Sequence, residues 1–143
     1  MPTEIIAALI FAALIVLFLA PNIKQVKEDE ALVIERLGAF LKVIDQPGIH
    51  FLIPLVDRAI QKESLLPQTH ELIFTKDQES YHYVYTFQIV DVKMYCYAAT
   101  ESFRVMEELI KTHIHEGKNQ LSDLQETLLN IGVKLLKLNE INK

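Results

Sequence analysis

YHYVYTFQIV, residues 81–90, decides the fold class. Tyr81, Tyr83, Tyr85, Phe87 and Ile89 recur at period two, so in an extended chain they fall on one face of a β-strand. Such a stripe is either the core side of a sheet or a platform for a flat ligand. Single-stranded nucleic acid would need basic neighbours beside the platform, and none lie nearby in the sequence. The core reading is the expectation.

After Ala98 the period changes. Phe103, Met106, Ile110 and Ile114 share one helical face, with Thr100 as expected N-cap, Glu101 early where an acid suits the dipole, and Gly117 at the end. Ser122-Asp-Leu-Gln125 has capping-box form and predicts a short second helix, stopped by Asn130-Ile-Gly132. Val133 to Leu138 reads as a last strand. Upstream, Ala31 to Leu37, Phe40 to Ile44, Asp57 to Glu63 and His70 to Thr75 are further strand candidates. Gly38, Asp45-Gln-Pro-Gly48, Pro67 and Lys76-Asp-Gln-Glu79 separate them. The expected fold is α+β: an N-terminal transmembrane helix, then a mostly antiparallel sheet with one longer and one short helix.

The N-terminus carries the strongest single signal. Ile5 to Ala20 are sixteen consecutive residues drawn from Ile, Ala, Leu, Val and Phe. As a helix they span about 24 Å, against about 30 Å of hydrocarbon. Thr3 and Asn22-Ile23 extend the run toward the headgroups. A cleaved signal peptide would begin with a basic region and end at a small-x-small site, whereas Met-Pro-Thr-Glu precedes this run and Leu19-Ala20-Pro21 ends it. A core helix would carry a polar face, and this run has none. The expectation is a straight, single-pass, uncleaved anchor over 1–22 followed by one domain over 23–143. Lys24, Lys27 and Arg36 follow the run and no basic residue precedes it, which places the domain on the cytoplasmic side.

Of 143 residues, 14 are Lys or Arg and 19 are Asp or Glu, a net charge of −5 that offers no basic footprint for nucleic acid. The one cysteine, Cys96, excludes an internal disulfide and fits a reducing compartment. His113-Ile-His115-Glu116 is the only catalytic-looking cluster. On a helix, residues two apart lie about 200° apart, so His113 and His115 cannot grip one metal together. His113 and Glu116 alone make a poor site, and a solvated helix end is the preferred reading. No glycine-rich phosphate loop, nucleophile elbow or paired-cysteine motif is present. The chain reads as a non-enzyme with no catalytic, cofactor-binding or metal residues. A hydrolytic or metal-dependent enzyme using Cys96 or His113, His115 and Glu116 is the alternative.

Residues 36–58, RLGAFLKVIDQPGIHFLIPLVDR, pose a separate question. Ile49 to Ile53 are apolar, yet Pro47 and Pro54 keep them from becoming a long helix or a central strand. Either they form a strand packed inward, or they are a second place where the chain touches a membrane.

Val26-Lys-Glu-Asp-Glu-Ala-Leu-Val-Ile-Glu-Arg-Leu-Gly-Ala-Phe, followed by Pro47-Gly-Ile-His-Phe-Leu-Ile-Pro-Leu-Val-Asp-Arg58, resembles the stomatin-like (slipin) branch of the SPFH, or Band 7, family. Thr75-Lys-Asp77, Phe87-Gln-Ile-Val-Asp91 and Ile131-Gly-Val-Lys134 match weaker family features in order. The resemblance runs from about Ile23 to the C-terminus. It implies a membrane-anchored scaffold that assembles laterally, organises membrane patches, and modulates membrane proteases or an NfeD-type membrane protein. It also implies that Phe51, Leu52 and Ile53 lie at the membrane-facing end of the domain. Three departures stand out: a shortened helix between Leu124 and Ile131, His115 where the family usually has arginine, and no segment of heptad length after Leu138. They make an inactive, truncated remnant a third reading, and they lead to the expectation that the detergent-solubilised chain is a monomer or small oligomer rather than a ring.

Overall fold

The computed structural model describes residues 2–76, 78–98, 101–116 and 121–141. The chain divides into two compact units, Met1–Lys62 and Glu63–Lys143, and the division falls inside a strand.

Unit one begins with α1, Thr3–Leu19, extended by a 3-10 turn over Ala20–Asn22. Together they make 20 residues, long and apolar enough to cross a membrane, and none of that surface is buried. A signal sequence shares this property. The Asn22 side chain turns back to donate to the Phe18 carbonyl at 2.8 Å, satisfying one of the carbonyls a helix end leaves open.

Five strands follow: β1 Ile23–Val26, β2 Glu30–Arg36, β3 Ala39–Ile44, β4 Gly48–Phe51 and β5 Asp57–Ser64. β1 and β4 form an antiparallel ribbon, and β3-β2-β5 form a separate sheet. Ala31, Leu32, Val33 and Ile34 of the central strand β2 are all buried. Val26, Leu32, Ile34, Ile44 and Leu52 form one core cluster. The sequence pattern shows β2, β3 and β5 clearly. β1 was hidden beneath the anchor's polar exit, because Ile23 reads as the anchor's last apolar residue.

Unit two holds β6 Gln68–Lys76, β7 Glu79–Ile89 and β8 Val133–Glu140, in the order β6-β7-β8 with both pairings antiparallel. Three helices accompany them: α2 Val92–Ala98, α3 Ser102–His115 and α4 Leu121–Leu129. The α+β class and the antiparallel pairing agree with expectation, but among the described residues three helices, not two, follow the apolar N-terminal helix, and the strands fall into three sheets. The extra helix starts at a cap that lies outside any apolar period. The Asp91 carboxylate accepts the Met94 N–H at 2.9 Å and starts α2.

On β7, Tyr85, Phe87 and Ile89 are buried, and Met106 and Ile110 of α3 are fully enclosed. The stripe is therefore core along this half of the strand. Tyr81 and Tyr83 are half-buried, and their rings stack on Phe74 at 5.5 and 6.3 Å. Tyr85 donates to Glu107 Oε1 at 3.0 Å, satisfying its hydroxyl within the core.

Two expected caps changed or fell outside view. Thr100 and Gly117 lie outside the described residues, and Glu101 occupies the N-cap position of α3 without a side-chain cap bond. Ser122 is inside the first turn of α4 and donates to Asp123 Oδ1, so the expected capping box is not made with Ser122 as the cap. Gly132, at φ +77°, closes the turn into β8. A Cβ there would run into the Asp91 carbonyl and the Tyr95 N–H, so only glycine fits.

Candidate functional site

The site lies at one end of unit one, where three backbone turns meet. The first is Ala20–Asn22, where the chain leaves α1. The second is the two-residue hairpin Leu37–Gly38 between β2 and β3. The third is the 52–56 loop between β4 and β5. Direct hydrogen bonds tie them together. Leu52 N–H donates to the Asn22 carbonyl at 2.9 Å, and Leu37 N–H donates to the Val56 carbonyl at 3.0 Å.

Arg36 and Asp57 lock this arrangement. Arg36 Nε and Nη2 donate to the two Asp57 carboxylate oxygens at 2.7 and 3.1 Å, a bidentate pair. Asp57 Oδ2 also accepts the Ile53 N–H at 3.1 Å, while the Ile53 carbonyl accepts the N–H groups of Val56 and Asp57. The Arg36 guanidinium, and then the Ile53 N–H, hold the Asp57 carboxyl below the usual carboxylate range; the same pairing raises Arg36.

What the clamp holds is apolar. In the β1–β4 ribbon Ile23 pairs with Phe51 and Gln25 with Ile49, on the face opposite buried Val26. Ile23, Ile49, Phe51 and Ile53 are all exposed, while Leu52 alone turns into the core. Of the apolar run Ile49 to Ile53, only Leu52 packs inward as a buried strand residue would; Ile49, Phe51 and Ile53 face outward.

Two leucines complete the end. Leu37 is 81% exposed and Leu55 88%. Both have positive φ, 52° and 65°. In the Leu37–Gly38 loop both central residues have positive φ, as a type I′ hairpin requires. The left-handed region costs a leucine about 1–2 kcal/mol, and polar Asn or Gly would fill either position at lower cost. Strain and exposure coincide on the same side chains, a combination that points to use rather than to folding. The sequence string that contains these residues was visible, but the positive φ of two leucines leaves no mark in composition or period.

The chemical candidates are not assembled into a site. Cys96 is half-buried on α2, and its thiol is pushed up to about 11 by burial and then by the Glu63 carboxylate. At neutral pH it stays protonated, the opposite of an activated nucleophile. His113 faces a cavity of about 150 Å³ between α3 and α4, with Glu116 and Asp123 also on its wall. His115 lies elsewhere, its ring 5.7 Å from that of Phe74. Among the described residues no three His, Cys, Asp or Glu side chains gather as metal ligands.

No protein-family model matches the chain, and no curated protein matches it either.

Proposed function

We propose that the chain is a membrane-anchored, non-enzymatic scaffold of the stomatin-like SPFH type, whose unit-one end rests in the headgroup region of the bilayer it is anchored in. The observation that carries this reading is the set of Ile23, Leu37, Ile49, Phe51, Ile53 and Leu55, all exposed, on strands and turns bonded through Leu52 to Asn22, the last residue of the 3-10 turn that extends α1. In water, six exposed apolar side chains would be a liability. Beside a membrane exit they add a second, shallow contact that fixes the angle of the unit on its anchor. The basic residues after α1 support a single pass with the folded part in the cytoplasm.

The string that carries the family resemblance has a structural role consistent with this proposal. Arg36, Leu37, Gly38, Pro54 and Asp57 build the two turns and the clamp between them. Partners of the kind the resemblance implies, a membrane protease or an NfeD-type membrane protein, belong to the same proposal, as does lateral self-association. The protonated thiol and scattered histidines favour scaffold over hydrolase.

The test is removal of residues 5–20. The truncated chain should move to the soluble fraction after an alkaline wash, because the shallow contact alone is too small to hold it. Retention in washed membranes would sink the anchor reading.

A further inference from the structure

The sheet of unit two ends in two edge strands, and they are built differently. β8 carries the usual defences against pairing with another chain: exposed Lys134 and Lys137, and a register break opposite Thr86 and Phe87 that leaves Leu136 as the extra residue of a bulge. β6 carries none of these between residues 68 and 75. It pairs with β7 over nine residues without a shift in register, from Gln68 with Phe87 to Lys76 with Glu79. The stretch QTHELIFT holds no proline, glycine or lysine, and Ile73 on its outer face is 65% exposed. A flat, regular edge of this length is a template for one more strand.

We propose that the strand it accepts is β6 of a second copy, joined antiparallel about a two-fold axis through Leu72. The choice of partner follows from self-complementarity. In the register that matches the whole strand to itself, Thr69 meets Thr75 and Glu71 meets Ile73 on the outer face, while His70 meets Phe74 on the helix-covered face. Threonine already pairs with threonine across this sheet, Thr69 with Thr86 at 2.9 Å. His70 and Phe74 already stack on aromatic neighbours, at 6.0 Å from Tyr85 and 5.5 Å from Tyr81. No like charges come opposite one another, whereas sliding the two-fold axis to Glu71 would set that carboxylate against its own copy. The result is a six-stranded sheet, and two-fold pairing closes on itself, so it yields a dimer rather than an open chain of subunits. An edge contact alone is small, and anchoring both copies in one bilayer raises their effective concentration. The inference goes beyond the scaffold reading, because it names the surface and the stoichiometry of self-association.

The experiment is sedimentation equilibrium of the full chain in detergent over a concentration series, with the micelle mass matched out, for the wild type, Ile73→Glu and Ile73→Lys. Both variants put a charge at the same exposed position opposite Glu71 of the other copy, but the glutamate repels that carboxylate whereas the lysine attracts it. The wild type should pass from monomer to dimer as concentration rises. Ile73→Glu should weaken the dimer about tenfold, since the two-fold axis makes the repulsion twice, and Ile73→Lys should hold or tighten it. Equal dissociation constants for the two variants would overturn the register. A wild type monomeric throughout, with β6 open to some other extended chain, would overturn self-pairing. If either variant fails to fold, hydrogen exchange of the wild type decides. Alternate amides between Thr69 and Thr75 should slow with concentration, and exchange there that is independent of concentration would reject the interface.

Discussion

The chain has two dense apolar clusters that read alike in sequence and are used in opposite ways. In unit two, Tyr85, Phe87 and Ile89 on β7 pack with Met106 and Ile110 of α3, all nearly free of solvent contact. In unit one, Phe51, Ile49 and Ile23 occupy one face of a strand pair just as regularly, yet they stand exposed. The difference lies in what covers them. A sheet face becomes core when an amphipathic helix of matching period follows it, and α3 supplies that helix in unit two. The only helix that precedes the β1–β4 ribbon is α1, apolar all round and exposed over its whole length. One cluster stabilises the fold; the other is exposed apolar surface, which the proposed function sets against the bilayer.

Matched truncations sharpen this contrast most. Phe87→Ala should destabilise the protein by about 3–5 kcal/mol, the usual result of emptying an aromatic core position. Phe51→Ala, which removes the same ring from the exposed ribbon, should change stability by no more than about 0.5 kcal/mol in detergent. Denaturant midpoints for the pair would settle it. Equal losses would mean that the ribbon face is core after all.

A smaller effect comes from acid. Asp57 has its folded-state pKa lowered, so its contribution is complete above the ordinary carboxylate pKa near 4 and is lost as pH falls through the folded value below that. The amide resonances of Ile53 and Leu37 should therefore stay constant from neutral pH to about 4 and shift together below it. A transition centred above about pH 5 would separate the loop from the Arg36–Asp57 clamp.

Much of the fold was legible because period and length reported burial directly. β7 with its five alternating large side chains and α3 with its 3.6-residue stripe were visible for that reason. β1 was not, since four residues immediately after an apolar helix carry no period of their own. α2 was missed because Val92, Tyr95 and Tyr97 are poor helix formers, and the Asp91 cap alone marks its start. The candidate end of unit one was legible only as a string of motif residues. Arg36 and Asp57 are 21 positions apart, and their pairing depends on β2 and β5 lying side by side. The outward turn of Leu55 depends on a single positive φ. Neither is a property of local sequence.

The depth of the unit-one end relative to the bilayer can be measured directly. The chain has no tryptophan, so a single one can serve as a reporter. Leu55→Trp places it on the exposed loop, and Glu28→Trp places it in the β1–β2 turn, at the opposite end of β1 from Asn22. Each full-length variant would be reconstituted into vesicles containing lipids brominated near the headgroup end of their chains. Strong quenching of the tryptophan at position 55 and little at position 28 is the predicted result. Equal, weak quenching at both positions would contradict the account and leave the six exposed side chains facing water or another protein.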